Sequence, residues 1–179
     1  MLTYIWMAIP TTAFGLWWMR RDYRSLGRLS WPCLAVVLVM FFIPHLALHD
    51  AIRYTVPTAA IAWVGVVLAA LGVALCLGAF GVFGAVKKVL CLDHGTLTVT
   101  GPYRWTRNPQ YVGWSMFVFG FALTGWTARC LIALGIYVVI VHGMVLVEEE
   151  HLGRVFGTDY GAFRRQVPRY VGLVRRGVP

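Results

Sequence analysis

Long apolar runs dominate this chain and limit what it can fold into. A helix needs about 20 mostly apolar residues to cross a bilayer, and runs of roughly that length cover residues 2–19, 31–49, 56–86, 111–127 and 130–147. Only 13% of the 179 residues are charged, whereas about 25% is typical of a soluble domain. We therefore predict an all-α integral membrane protein with about five transmembrane helices. In such a chain, helix ends and short loops must carry out any chemistry.

The basic residues are distributed unevenly around these runs. The chain has 16 lysines and arginines and a net charge of +9, and all but Arg53 and Arg129 fall on one side of the predicted bilayer. Basic residues concentrate on the cytosolic side of membrane proteins, where they contact anionic lipid head groups. We expect the N-terminus outside, the C-terminus and the 87–110 loop in the cytosol, and the cytoplasmic membrane of a bacterium or archaeon as the location. The pattern indicates the membrane as a partner, and not a nucleic acid.

One polar block interrupts the apolar runs. Residues 101–113 read Gly-Pro-Tyr-Arg-Trp-Thr-Arg-Asn-Pro-Gln-Tyr-Val-Gly and are too rich in Pro, Gly, Arg and Tyr to form another span. A small membrane protein has little physical reason to keep so polar and turn-rich a segment unless the segment builds a site. We therefore predict that this block contributes to a functional site.

Three glutamates follow the fifth apolar run. Helical spacing places Glu148 and Glu149 on the same stripe as the apolar residues around them, whereas Glu150 falls off the stripe, four residues before Arg154, where a surface ion pair is expected. Carboxylates at the inner end of a membrane helix are costly and are usually functional or paired. Two interpretations stay open: the acids bind a ligand, or they bind arginines of the 101–113 block and fasten the loop.

The other histidines and glycines have structural explanations. His45 and His49 lie one helical turn apart, but no third ligand is evident, so packing or hydrogen bonding is favoured and no metal site is predicted. We expect His151 to be solvated. Three glycines near the end of the third run allow bending or the close approach of another helix: Gly78, Gly81 and Gly84.

The two polar segments together form a specific pattern. It reads Gly-Pro-Tyr-Arg-x-x-Arg-Asn-Pro-x-Tyr-x-Gly, a pair of spans, then Glu-Glu-x-x-Leu-x-x-x-Phe-Gly-x-x-Tyr and Val-Pro-Arg. This pattern, over about residues 85–172, resembles the integral-membrane methyltransferases, which include isoprenylcysteine carboxyl methyltransferase and the phospholipid N-methyltransferases. The first two spans carry no such signature.

The resemblance implies S-adenosylmethionine (SAM) as the cofactor, bound at the cytosolic ends of the last spans and capped by the C-terminal segment. The expected organisation is a single membrane domain over residues 1–179, with three spans in 1–86 and the cofactor-binding region in 87–179. The cofactor-binding residues implied by the match are Tyr103, Arg107, Asn108, Pro109, Tyr111, Gly113, Glu148 and Glu149. The C-terminal cap matches at Tyr160, Val167, Pro168 and Arg169.

SAM carries a sulfonium cation, an ammonium, a carboxylate and an adenosine, and the matched residues suit each group. Glu148 or Glu149 can hold the ammonium or the ribose hydroxyls, and Arg107 or Arg104 can hold the carboxylate. An aromatic ring can stack on adenine or face the sulfonium, and the candidates are Tyr103, Trp105 and Tyr111. We expect catalytic roles for Arg107, Glu149 and His142. We expect substrate-binding roles for Arg104, Trp105, Tyr160 and Arg169.

Two departures from the family pattern bear on the methyl acceptor. Asn108 stands where many relatives have His, and an amide cannot take a proton at neutral pH. His142, within two turns of the acidic pair, is then the candidate proton acceptor for an amine; the alternative is a core histidine bonded to a neighbouring helix. The isoprenylcysteine enzymes also tend to carry an Arg shortly before the acidic pair, and residues 142–145 here read His-Gly-Met-Val. The missing Arg weakens the case for a carboxylate acceptor.

We therefore expect the substrate to be a membrane-embedded lipid or amphiphile, and first of all a phospholipid amine. Methyl esterification of a prenylcysteine-like carboxylate is the alternative within the same class of enzyme. Two other classes stay open: a membrane reductase that uses NADPH, and a non-enzymatic membrane scaffold.

Overall fold

The computed structural model describes residues 2–52, 58–83, 96–125 and 127–174. These residues form five α-helices: α1 (Leu2–Ser25), α2 (Trp31–Ile52), α3 (Ala59–Phe83), α4 (Pro109–Ala122) and α5 (Ala128–Gln166). Short 3-10 turns precede and follow α4, at Gly101–Arg104 and Leu123–Gly125. The described residues contain no strand, and the predicted all-α fold with five helices is confirmed.

Three of these helices are long and apolar enough to cross a membrane by length and composition: Trp31–Ile52, Ala59–Val82 and Ala128–Gln166. The other two helices, α1 and α4, do not meet this criterion of length and composition, each for a different reason. Helix α1 has 24 residues, but its last two turns carry three arginines and an aspartate. Helix α4 has 14 residues, and at 1.5 Å per residue it is about 21 Å long, shorter than the hydrocarbon core of about 30 Å.

The bounds of α2 lie close to those of its apolar run, whereas three other helices differ from theirs. Helix α1 continues six residues past its run, to Ser25, and α4 ends at Ala122, five residues before the predicted end of its run, where a 3-10 turn follows. Helix α4 begins at Pro109, because proline suits the first turn, where its missing N–H costs nothing. The run at 130–147 is only the first part of α5, which continues through the glutamates to Gln166. The predicted ends of the third run, at 56 and at 84–86, lie outside the described residues.

Helices α3 and α4 cross at glycines. A Cβ added at Gly65 would lie 2.5 Å from the carbonyl oxygen of Gly120, and one added at Gly113 would lie 2.6 Å from that of Gly72. Small residues let membrane helices approach backbone to backbone. Of the two roles expected for Gly78 and Gly81, bending or close approach, the close approach is not present: a Cβ at Gly81 would meet nothing within 4 Å, and one at Gly78 would make only an ordinary contact. Gly84 lies outside the described residues.

Gly157 interrupts the regular geometry of α5. Its φ of 49° and ψ of −117° lie in a region that side-chain-bearing residues avoid. Beyond this residue, Tyr160 and Phe163 pack with Tyr103 and Val167 in a small buried cluster. The kink therefore brings the end of α5, and the segment that follows it, against the 3-10 turn before α4.

Candidate active site around Glu149

Glu149 is a buried carboxylate on which three separate segments meet. It lies about 30 Å along α5 from Ala128, a distance similar to the thickness of the hydrocarbon core of a bilayer. Arg107 Nη1 lies 3.0 Å from its Oε1, and Arg169 donates to its Oε2 from Nε and Nη2 at 3.1 and 2.9 Å. Asn108 Nδ2 also donates to Oε1, at 3.3 Å. The carboxylate thus ties the loop before α4 and the C-terminal segment to α5.

Backbone hydrogen bonds fix the C-terminal segment over the same loop. The Arg107 N–H donates to the Pro168 carbonyl oxygen at 2.9 Å. The Arg169 carbonyl oxygen accepts from the Thr106 hydroxyl and from Asn108 Nδ2, each at 3.1 Å. The segment that was expected to act as a cap therefore lies directly against the 101–113 block.

The cluster holds more positive charge than Glu149 balances. Two guanidinium groups face one carboxylate, and the side chains of Arg107 and Glu149 are only 8% and 6% exposed. The hydrogen bonds to Glu149 raise the pKa of Arg169, so its charge persists at all accessible pH values. Among the described residues, Nε of Arg107 has no hydrogen-bond partner, Nη1 of Arg107 has only its ion pair with Glu149, and the Tyr160 hydroxyl has Arg107 as its neighbour. The cluster can accommodate one further anionic or accepting group.

Glu148, one residue earlier, faces a different environment. The Tyr111 hydroxyl donates to its Oε1 at 2.5 Å. Both residues line a cavity of about 270 Å³, which we call the Glu148 cavity. Most of its wall is apolar, and it includes Phe41, Phe80, Gln110, Tyr111, Trp114 and Glu148. None of the described residues that line it is basic.

His142 belongs to another cavity on α5. Its Nδ1 lies 2.9 Å from the Tyr170 hydroxyl, and both residues line a cavity of about 410 Å³ between α3, α4 and α5, which we call the His142 cavity. The described linings of the two cavities share no residue. Burial raises the pKa of Tyr170, although Arg169 opposes the shift, so the phenol stays protonated near neutral pH. His142 is thus bonded to the C-terminal segment, and not, as the alternative had it, to a neighbouring helix.

A family model for phospholipid methyltransferases matches residues 60–159 of the chain. The chain belongs to the phospholipid methyltransferase family. The match takes in the 101–113 block and the acidic pair, and it stops before Arg169. Membership assigns this protein to the membrane methyltransferases that act on phospholipid-like substrates, as the sequence pattern predicted. No curated protein and no solved structure matches the chain.

The other residues of this phospholipid methyltransferase that match the family pattern either contribute to packing or lie away from Glu149. Pro109 begins α4, and Gly113 packs against the backbone of α3. Tyr160, expected to bind substrate, is buried at 3% exposure beneath the cluster. Arg104 and Trp105 are exposed at the end of the 3-10 turn, and the structure does not bring them to Glu149.

Three residues of the site were not anticipated. Thr106 and Tyr170 hold the C-terminal segment, and Gln110 accepts a hydrogen bond of 2.9 Å from the Tyr103 hydroxyl. Each of these three residues is adjacent in sequence to a residue of the matched pattern, and this adjacency is the signal by which the sequence could have indicated them.

The structure also tests two other expectations from the sequence, on Glu150 and on His151. The predicted pair between Glu150 and Arg154 is present, and Arg20 and Arg24 of α1 join it, each at 2.8 Å. The expectation that His151 is solvated is wrong, because α1 covers that face: His151 is 4% exposed, and its ring stacks on Tyr23 with centroids 4.1 Å apart.

His45 is held by hydrogen bonds, as expected. Its Nδ1 lies 2.8 Å from the Phe41 carbonyl oxygen, and its Nε2 accepts from Trp114 Nε1 at 2.8 Å. Both ring nitrogens are thus engaged. The described part of the chain contains no group of three His, Cys, Asp or Glu residues that could hold a metal ion.

Proposed function

We propose that this phospholipid methyltransferase transfers a methyl group from SAM to the amine of a membrane phospholipid. The observation that supports the proposal best is the buried, positively charged cluster at Glu149, close to two apolar cavities. An ionic cofactor and a lipid need such neighbouring but different environments.

The residues around Glu149 fit the carboxylate end of SAM. A carboxylate at this point would satisfy Nε of Arg107, and it would offset the surplus positive charge of the two arginines. Glu149 itself is committed to Arg107, Arg169 and Asn108, so we assign it the role of positioning Arg107. Tyr103, next to this cluster, is the candidate for stacking on the adenine.

When bound, SAM supplies an electrophilic methyl group: the nitrogen lone pair of a neutral amine forms the new N–C bond, and the electron pair of the C–S bond stays on sulfur. The chain's own contribution is to hold the two reactants in line, which can supply most of the rate enhancement in such a transfer. His142, supported by Tyr170, would be the proton acceptor if the amine occupied the His142 cavity.

The cofactor can be tested by ligand-induced stabilisation of the detergent-solubilised protein. A ligand present at about 100 times its dissociation constant adds about 2.7 kcal/mol to the free energy of unfolding. We expect SAM and S-adenosylhomocysteine to raise the melting temperature, and we expect Arg107→Gln to lose this effect. The exposed Arg104→Gln is the matched control and should keep it. Stabilisation by NADPH alone would instead support a membrane reductase, and no response to any of the three would support a scaffold.

The acceptor can be identified by transfer of radiolabelled methyl from SAM into a total lipid extract. If the acceptor is an amine with a pKa near that of lysine, about 10.4, its neutral fraction rises about tenfold per pH unit below that value. We therefore expect the rate at subsaturating lipid to rise steadily between pH 6.5 and 9. A flat profile together with label in a carboxylate lipid would contradict the amine assignment.

A further inference from the structure

We infer that the basic end of α1 binds the head group of an anionic phospholipid, at a place separate from the Glu149 cluster. A cavity of about 400 Å³ opens there, which we call the α1 cavity. None of its described lining residues lines the Glu148 cavity or the His142 cavity. The inference concerns a lipid other than the methyl acceptor, so it does not rest on the proposed function. The described lining of the α1 cavity consists of Trp17, Arg20, Arg21, Arg24 and Ser25.

Glu150 of α5 gathers arginines at one edge of this cavity. Arg20 Nε lies 2.8 Å from Oε2 of the glutamate, and Arg24 Nη2 lies 2.8 Å from Oε1. Arg154 pairs with Oε1 as well. Because both cavity arginines bond to the same carboxylate, their guanidinium groups lie close together. One negative charge is thus shared among three positive charges.

Arg21 brings a fourth positive charge to the cavity. Its guanidinium carbon lies 5.7 Å from the centroid of the Trp17 ring, and it has no carboxylate partner among the described residues. The acid in the same stretch of α1, Asp22, is buried and accepts from the backbone N–H and the hydroxyl of Ser30. The surplus of positive charge therefore stays at the cavity, where guanidinium groups suit the paired oxygens of a phosphate.

The residues that precede the arginines favour a lipid over a free anion. Residues 2–19 carry no charged side chain and are about 27 Å long as a helix, close to the thickness of the hydrocarbon core, about 30 Å. If this run crosses the bilayer, as the sequence predicts, Arg20 lies at the level of the lipid phosphates. Phe14 and Trp17 just before it are exposed, and their rings stack with centroids 6.0 Å apart. An acyl chain can pack on these rings while the arginines hold the phosphate.

The charge of the preferred lipid follows from the same arginines. Phosphatidylcholine and phosphatidylethanolamine also have a phosphate, but each carries an ammonium close to it, which the surplus guanidinium groups repel. The head group of phosphatidylglycerol has no ammonium and keeps its negative charge. The α1 cavity should therefore select anionic lipids over zwitterionic ones.

Thermal unfolding of the full chain in detergent can test this selection. The ligands are dioctanoyl phosphatidylglycerol, dioctanoyl phosphatidylcholine and inorganic phosphate, each titrated at constant ionic strength. A ligand that binds the folded state raises the melting temperature in a saturable way. We expect a clear rise with phosphatidylglycerol and little change with the other two. Equal stabilisation by phosphatidylcholine would contradict the preference for negative charge, and equal stabilisation by inorganic phosphate would contradict the assignment to a lipid.

Variants of Arg21 test the place of binding, because this residue has no ion pair to lose. Arg21→Gln should weaken the binding of phosphatidylglycerol about fivefold, the contribution of one basic residue near an anionic lipid surface. Arg21→Lys keeps the charge and should lose less. Arg165→Gln, which removes the same charge from an exposed position near the end of α5, is the matched control and should bind as the natural chain does. The assignment is wrong if Arg21→Gln leaves the affinity unchanged, or if Arg165→Gln and Arg21→Gln weaken it equally. It is also wrong if Arg21→Gln does not fold and Arg21→Lys binds phosphatidylglycerol no better than phosphatidylcholine.

Discussion

At the scale of single residues, two neighbouring carboxylates on α5 have opposite surroundings. Glu149 is enclosed by two guanidinium groups and an amide, whereas Glu148 accepts from a phenol at the edge of an apolar cavity. Successive residues on a helix point about 100° apart, so one glutamate faces the loop and its neighbour faces the bundle. The sequence interpretation left open whether the acids bind a ligand or fasten the loop, and the structure shows Glu149 in the fastening role.

Removing Glu149 should destabilise the protein more than removing one of its partners. Glu149→Ala leaves two buried or half-buried arginines without a counter-charge, and breaking a buried pair in this way costs about 3–5 kcal/mol. Arg169→Gln leaves Glu149 paired with Arg107, so we expect a loss of about 1–3 kcal/mol, the contribution of hydrogen bonds to a charged group. Denaturation in detergent micelles measures both. Arg165→Gln, at an exposed position on the same part of the chain, should have almost no effect, and an equal loss in all three variants would contradict this account.

The pairing of Glu149 could be predicted only in part. The match to the family pattern brought Arg107 and the acidic pair into one site, and that pairing is present. Arg169 was placed among the substrate-binding residues, yet it binds Glu149 through two nitrogens. This contact depends on the kink at Gly157, a backbone conformation that residue spacing along a regular helix does not encode.

At the scale of helices, the tightest packing is between α3 and α4. Gly65 and Gly72 on one helix face Gly120 and Gly113 on the other, and the two glycines on each helix are seven positions apart. The apolar runs predicted that both segments are helices, but they could not predict which faces meet, because nearly every position of α3 is apolar or small. The regular spacing of these glycines is the signal in the sequence that marks the crossing, and Gly78 and Gly81 lie outside it.

A methyl group at this crossing should disrupt it. In Gly65→Ala the new Cβ would lie 2.5 Å from the Gly120 carbonyl oxygen, so the helices must separate. We expect a loss of about 1–3 kcal/mol, as for other overpacked sites. Gly81→Ala is the matched control on the same helix, because its Cβ would meet nothing within 4 Å. In thermal unfolding in detergent, Gly65→Ala should have a clearly lower melting temperature than Gly81→Ala. Equal melting temperatures would show that the crossing is looser than described.

At the scale of the whole molecule, the orientation in the membrane stays a proposal. The excess of basic residues beside the Glu149 cluster favours that end in the cytosol and the α2–α3 and α4–α5 connections outside. The rule that basic residues lie on the cytosolic side concerns how the chain inserts into the membrane. The contacts between helices therefore do not determine the orientation.

Labelling of single cysteines tests the orientation. In a variant without the native cysteines, Cys introduced at Thr58 or Arg129 should react with a membrane-impermeant thiol reagent added to intact cells, because both positions are exposed beside the predicted outer face. Cys introduced at Gln166, exposed at the end of α5, should react only after the membrane is opened. The reverse pattern would place the Glu149 cluster outside and would contradict the proposed topology.

Helix α5 runs without interruption from Ala128 past Glu149. A single rigid rod therefore joins one surface of the bilayer to the carboxylate that holds Arg107 and Arg169 at the other. Helices accommodate a thinner or thicker hydrocarbon layer by tilting, and a tilt of this rod would change the angle at which Glu148 and Glu149 meet the short helix α4. A change in the thickness of the surrounding lipid would therefore act on the spacing between the Glu149 cluster and the Glu148 cavity.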